Sequence, residues 1–273
     1  MIIKTLAENV PLCEEFGSEH GLSLYIETSN ARILFDTGAS NLFLENAKKL
    51  GVNIADIDYL VISHGHYDHG GGLKAFMEVN HTAEIFLHEQ AFEKHYALRP
   101  NGKMEYIGLQ EQLIGHKRIV STSDRFFISK GLQVFSGIKQ LSVPPASNLG
   151  LLKEEEGTPV QDTFAHEQNL IIEEGELSLL ITGCAHNGIV NILEHYKQIK
   201  GQLPKIVIGG FHLSSRLGSK LADKVLDQIA EYLLSTKAKY YTCHCTGMEA
   251  FTYLKQIMGD NIEYLPSGSQ III

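Results

Sequence analysis

The stretch Ser63-His64-Gly65-His66-Tyr67-Asp68-His69-Gly70-Gly71 follows the largely apolar run Ile57 to Ile62 and leads into a third glycine, Gly72. Nitrogen and oxygen donors at such density suit divalent metals of the zinc, manganese or iron type. In an extended segment His64 and His66 share a face, because strand side chains repeat every two residues. Asp68 and His69 then turn toward a second centre, and the neighbouring glycines permit that turn. A mononuclear site needs only three or four such ligands, so the surplus predicts two metals sharing a bridging water.

Upstream, Leu22 to Glu27 and Arg32 to Phe35 read as a hairpin around Ser29-Asn30, stopped by Asp36-Thr37-Gly38. Helical spacing covers Asn41 to Leu50, and the strand Tyr59 to Ser63 delivers the histidine cluster. Downstream, a helix is expected within Gly70 to Val79, a strand over Ala83 to His88, and a short helix over Gln90 to Tyr96. The pattern weakens from Arg99 to Gly115, so an insertion or lid near 90–118 is expected, its tyrosine, His95 and Arg99 facing a substrate. Strands follow at Ile119-Val120, Phe126 to Ser129 and Leu132 to Ser136, with Pro144-Pro145 and Glu154 to Pro159 as surface loops.

The second half repeats the theme. A hairpin of Leu170 to Glu173 and Leu177 to Thr182 ends at Gly183-Cys184-Ala185-His186, and a helix follows through Ile189, Ile192, Leu193 and Tyr196. Ile206 to Ile208 ends at Gly209-Gly210-Phe211-His212. A helix over Leu217 to Leu234 precedes Tyr240 to Thr242, which ends at Cys243-His244-Cys245-Thr246-Gly247, and Glu249 to Met258 closes the pattern. Two mixed sheets covered by outer helices satisfy that order, an α+β architecture in one domain spanning 1–273, with no Gly/Ser linker between the halves.

Composition narrows the function. The 273 residues are 44% hydrophobic and 20% charged, as in an ordinary globular protein. A net charge of -9 with intermixed cations disfavours nucleic acid as a partner. No apolar run reaches membrane-span length, and the first strand is too short and acidic for a signal peptide. Four scattered cysteines suggest a reducing compartment without a disulfide framework, and a cytoplasmic location is expected. A homodimer is expected on base rate alone.

Four strands thus end in histidine-bearing loops, and binding residues concentrate in loops held by a rigid scaffold. His186 and His244 are candidate ligands beside the first cluster; His212 stands between ligand, proton donor and phosphate contact. His81, His88, His95, His116 and His195 are assigned to the surface or to hydrogen bonds. Strand alternation puts Cys243 and Cys245 opposite His244, so both are expected in the core. Cys184 is open between core residue, ligand and nucleophile.

The pattern H-x-H-x-D-H after a strand resembles the metallo-beta-lactamase superfamily, over essentially the full chain. That resemblance implies a four-layer αβ/βα sandwich with a dinuclear centre on one edge. It implies His64, His66 and His186 as ligands of one metal, and Asp68, His69 and His244 as ligands of the other. Zinc is the expected metal, with manganese, iron or magnesium as alternatives. Asp36 resembles the family's buried aspartate that orients the metal loop, and Cys184 stands where the usual bridging aspartate is expected. The closing His212 and His244-Cys245-Thr246-Gly247 resemble the tRNA 3'-processing and phosphodiesterase branches, which implies a proton-transfer role for His212.

A narrower resemblance is to the subgroup named after 7,8-dihydropterin-6-yl-methyl-4-(β-D-ribofuranosyl)aminobenzene 5'-phosphate synthase. It rests on Glu19-His20-Gly21-Leu22-Ser23, His64 to Gly72, Gly183 to Asn191, Gly209 to Leu213 and His244 to Gly247. Its named reaction joins a dihydropterin pyrophosphate to a ribofuranosylaminobenzene phosphate, and many members stand outside that pathway. The expected activity is metal-dependent hydrolysis of a small phosphate-bearing or ester substrate by a metal-bound hydroxide. Asp68 would orient the nucleophile and His212 protonate the leaving oxygen. The alternatives are a synthase using the same centre, and a non-catalytic metal-binding or redox-sensing protein. His20 is expected near the mouth of the site.

Overall fold

The computed structural model describes residues 1–139, 145–214 and 223–273. Pro144 and the first turns of the helix expected from Leu217 lie outside the described residues; that helix is described from Asp223 to Ser235.

Among the described residues two seven-stranded sheets carry the fold. The first runs in the order Gln270–Ile272, Ile2–Ala7, Ser23–Glu27, Arg32–Phe35, Tyr59–Val61, Glu84–His88 and Ile119–Thr122. It is antiparallel up to Arg32–Phe35 and parallel thereafter. The second mirrors it: Arg125–Ser129, Leu132–Phe135, Asn169–Glu174 and Leu177–Ile181 are antiparallel. Ile206–Gly209, Lys239–Thr242 and Ile262–Tyr264 then add in parallel. Parallel neighbours send their C-terminal ends to the same edge, so the loops after Leu177–Ile181, Ile206–Gly209 and Lys239–Thr242 leave side by side.

Three apolar seams hold the layers. Between the sheets, Leu24, Ile33, Phe35 and Val61 meet Leu170, Leu179, Ile181 and Ile208. Outside the first sheet, Phe43 and Ala47 of the helix Leu42–Lys49 and Leu73 and Phe76 of Leu73–Val79 cover Leu34, Leu60 and Ile85. Outside the second, the helix Ile189–Lys200 buries Ile189, Ile192, Leu193 and Tyr196, one face at helical spacing. The helices Asp223–Ser235 and Met248–Met258 complete that layer through Leu226, Ala230, Leu254 and Met258. The αβ/βα sandwich expected from the sequence is the one observed.

Two expectations fail outside the sandwich. Residues 90–96 form turns leading into the strand His95–Leu98 rather than a helix, and 154–159 belong to the hairpin Leu151–Glu155/Thr158–Gln161 rather than a loop. These strands pair with one another and with Met104–Tyr106 in a separate four-stranded sheet. Their partners are distant in sequence, so local spacing carried no sign of the pairing. Arg99 pairs with Glu105, and the Tyr106 hydroxyl donates to the Leu109 carbonyl.

Candidate metal centre

The geometry starts from Asp36, which follows the strand Arg32–Phe35 with a left-handed φ of 61° and is fully buried. Its Oδ1 accepts the Ser63 N–H at 2.7 Å, and its Oδ2 accepts the Ser63 hydroxyl at 2.8 Å and His69 Nδ1–H at 2.6 Å. With its proton given to Asp36, Ser63 Oγ receives His64 Nδ1–H at 2.9 Å. One carboxylate therefore leaves both His64 and His69 with a bare Nε2. The helical turn Tyr67–Gly70 then brings Asp68 and His69 back toward His64. The role of the glycines is corrected here: Gly71 has an ordinary φ of -63°. A Cβ there would lie 2.3 Å from the Ala39 carbonyl oxygen, so close packing against 37–40 requires the glycine.

His186 and His244 are oriented the same way from other loops. His186 Nδ1–H is given to Asn148 Oδ1 at 3.0 Å, and Asn148 Nδ2 donates to the His186 carbonyl at 2.8 Å. Buried Glu167 accepts the backbone N–H groups of His186 and Asn187 at 2.6 and 2.9 Å. His244 Nδ1–H is given to Asn9 Oδ1 at 2.8 Å, and its backbone N–H to buried Glu8 at 2.7 Å. Ala185, His212 and His244 hold left-handed φ values of 59°, 50° and 51°. Such backbone costs about 1–3 kcal/mol per residue and persists where surrounding contacts over-determine it.

The structure brings all six predicted ligands together. His64 Nε2 lies 3.0 Å from His66 Nδ1, and donor atoms of His64, His66 and His186 fall within 4.8 Å of one another. His69 Nε2 lies 3.2 Å from His244 Nε2 and 3.2 Å from Cys184 Sγ, and His244 Nε2 lies 3.5 Å from Asp68 Oδ2. Cys184 also groups with His64 and His69, so its sulfur sits at the junction of the two sets. Gly183 makes this approach possible, because a Cβ there would lie 2.2 Å from Ser63 Oγ.

Charge and proton positions fit a pair of divalent cations. Burial, reinforced by neighbouring imidazoles, holds His64, His66 and His186 well below the ordinary histidine range, so their lone pairs are free. Burial opposes ionisation of Asp68, yet the His20 hydrogen bond and the neighbouring imidazoles hold its carboxyl well below the usual carboxylate range. Burial would lower His69 too, but the Asp36 ion pair prevails and raises it. His186 Nε2 is buried without a hydrogen-bond partner. Neutral imidazoles, a carboxylate and a thiol converging this closely form the donor set that zinc-like ions prefer.

Cys243 is in the inter-sheet core as expected, but Cys245 is not opposite the imidazole. The left-handed turn at His244 starts a 3-10 turn, breaking strand alternation, and Cys245 lines the cleft with Cys184. Burial pushes the Cys184 thiol well up; at Cys245 the hydrogen bonds of Cys184 and His212 outweigh burial and lower it. His212 packs its ring 4.1 Å from that of His186 with both nitrogens buried, and Ser147 donates to its carbonyl. His20 stands at the mouth as expected, its Nε2 3.1 Å from Asp68 Oδ2.

His95, assigned to the surface or to hydrogen bonds, is fully buried and hydrogen-bonded to Asp162 beside His166. Neither His166 nor Asp162 was marked by sequence reasoning; their four-residue spacing on an irregular segment was the only local sign. Asn9, Asn148, Glu8 and Glu167 carried none. Leu151, Ser214 and the site residues wall an open cleft of about 440 Å³.

The model of the metallo-beta-lactamase superfamily matches residues 17–197. An uncharacterised protein of Methanocaldococcus jannaschii is 32% identical over 264 residues, covering 94% of each chain. The 7,8-dihydropterin-6-methyl-4-(beta-D-ribofuranosyl)-aminobenzene-5'-phosphate synthase of the same organism is 32% identical over 287 residues, covering 98% of this chain and 95% of the synthase. A crystal structure described as a metal-dependent hydrolase of the beta-lactamase superfamily superposes with a TM-score of 0.84 at 29% identity, covering 100% of this chain and 99% of that one.

Proposed function

The chain belongs to the metallo-beta-lactamase superfamily, and on that footing we propose that it is a metal-dependent hydrolase of small phosphate-bearing or ester substrates. The observation that carries this reading is the meeting of His64, His66 and His186 with Asp68, His69, His244 and Cys184 beneath an open cleft that His66, Asp68, Cys184 and His186 line. Divalent metals held there would supply Lewis-acid activation of water and of a phosphoryl or carbonyl oxygen. Asp68, held ionised beside His20, orients the attacking water. His212 lines the cleft beside Cys245 and gives a proton to the leaving oxygen. The cleft suits the reacting end of a small molecule, and the chain's charge of -9 does not favour a polyanion.

The similarity to a synthase over nearly the whole chain favours a second reading. The same residues would grip a pyrophosphate leaving group while a carbon-nitrogen bond forms. A screen of phosphodiesters, phosphomonoesters, lactones and the dihydropterin-pyrophosphate pair, with metal-depleted and reconstituted protein, separates the two. We expect metal-dependent hydrolysis, with His212→Ala lowering kcat by roughly 10²–10⁴-fold at unchanged metal content. Condensation of the pterin pair without hydrolysis of any ester would overturn hydrolysis in favour of the synthase.

A further inference from the structure

Four of the five clustered histidines engage the ring nitrogen that faces away from the donor set. His64 meets Ser63, His69 meets Asp36, His186 meets Asn148 and His244 meets Asn9. His66 differs: its Nδ1 faces His64 Nε2 at 3.0 Å, and its buried Nε2 has no hydrogen-bond partner among the described residues. A ligating imidazole ordinarily gives its outer N–H to an acceptor, which fixes tautomer and ring orientation. A buried N–H left without one is destabilising.

Next to His66 lie His95, Asp162 and His166, all buried, with donor atoms of the four within 4.8 Å of one another. Their partners determine where the protons sit. The Gly65 N–H donates to His166 Nδ1 at 2.9 Å, so His166 carries its proton on Nε2 and gives it to Asp162 Oδ2 at 3.2 Å. His95 Nδ1 lies 2.9 Å from the same carboxylate oxygen, so it too is the protonated nitrogen. His95 Nε2 is therefore a buried lone pair, with no donor to it among the described residues. The His66 and His95 rings meet edge to face, their centroids 5.5 Å apart. A third metal in this group is disfavoured, because neutral His166 has already committed its one lone pair to Gly65.

We propose that His95, anchored by Asp162 and His166, is a positioning residue that accepts the Nε2 proton of His66 and so turns His66 Nδ1 toward the metal. A small ring rotation or a single bridging water completes this hydrogen bond, with the proton remaining on His66 Nε2. The proposal rests on the reading of His66 as a metal ligand.

Zinc binding to the full chain is measured by chelator competition, and zinc content by mass spectrometry, for the unaltered protein, His95→Phe, His95→Gln and Asp162→Asn. We expect His95→Phe and Asp162→Asn to bind one zinc roughly 10–100-fold more weakly, with the saturating zinc content unchanged. His95→Gln, which keeps an acceptor, recovers most of the affinity. Affinities within about twofold of the unaltered protein in folded His95→Phe overturn the proposal, since they fall well short of the usual effect of such partners. Loss of a whole zinc equivalent at saturation in Asp162→Asn also overturns it, by making the group a metal site. Should His95→Phe not fold, nitrogen NMR of the unaltered zinc-loaded protein decides. A protonated His66 Nε2 supports the proposal, and a zinc-bound Nε2 overturns it. Absence of any zinc uptake by the unaltered protein removes the centre itself, a result distinct from unchanged affinity.

Discussion

Asn9 and Asn148 perform the same task from distant parts of the chain. Each takes the Nδ1 proton of one histidine, His244 and His186 respectively, and leaves Nε2 bare toward the cluster. Asn148→Ala should weaken metal binding about 10–100-fold while the protein stays folded, measured by chelator competition beside far-UV circular dichroism. Asn148 also holds the His186 carbonyl, so unchanged affinity would mean that Glu167 alone sets the loop. At Gly183 space decides. An alanine methyl would collide with Ser63 Oγ and disturb the hydroxyl that links His64 to Asp36. Gly183→Ala should cost about 1–3 kcal/mol in urea unfolding, as overpacking of a filled interior does. A neutral result would show that the loop can withdraw from Ser63.

The elements matter through their ends. Tyr59–Val61 pairs in parallel with Arg32–Phe35, which puts Asp36 directly beneath the metal loop. Parallel pairing of Leu177–Ile181, Ile206–Gly209 and Lys239–Thr242 puts Cys184, His212 and His244 side by side. Gln168, just before the strand Asn169–Glu174, ties the two sheets together under this edge. Its Nε2 donates to the carbonyls of Ile62 and Phe86, its Oε1 accepts the Thr122 hydroxyl, and its N–H donates to the Ser63 carbonyl. Gln168→Ala would take the side-chain partner from the buried Ile62 carbonyl and Thr122 hydroxyl, and a loss of about 2–4 kcal/mol is expected in urea unfolding. Faster hydrogen exchange at Ser63 and His64 should accompany it. A loss below about 0.5 kcal/mol would rule out this tie as a structural link.

For the whole molecule the gathered imidazoles set a pH dependence. Burial lowers the pKa of His64, His66, His186 and His244, and takes His166 down to about 4. Below the ordinary histidine value of 6.5 the unfolded chain takes up protons that these folded groups refuse. Their contribution is thus complete above that pH and lost as pH falls. His69 runs the other way: its raised pKa contributes below the ordinary value and is lost as pH rises through the raised one. The lowered group outnumbers it, so the metal-free protein should melt at lower temperature at about pH 5 than at about pH 7. Zinc should raise the melting temperature, by roughly 2–4 °C for each ~1 kcal/mol of linked binding energy. A metal-free melting temperature that climbs on acidification would contradict the proton placement.

The ligand loop and the strands around it were legible in the sequence because both obey short periods. Two-residue alternation puts His64 and His66 on one face, and apolar runs mark the strands of both sheets. The small sheet, the Cys245 position and the His95–Asp162–His166 group were not legible. Cys245 follows a left-handed residue, which cancels alternation, and His95 becomes buried only through strands paired from elsewhere. The hydrogen bonds that orient the centre span long separations, 235 residues for His244 with Asn9 and 101 for Gly65 with His166. The sequence by itself determined which side chains bring donor chemistry and which runs bury themselves in layers. Only the tertiary structure decided which nitrogen of each imidazole is bare, because a tautomer is set by whatever acceptor the folded chain places behind the ring.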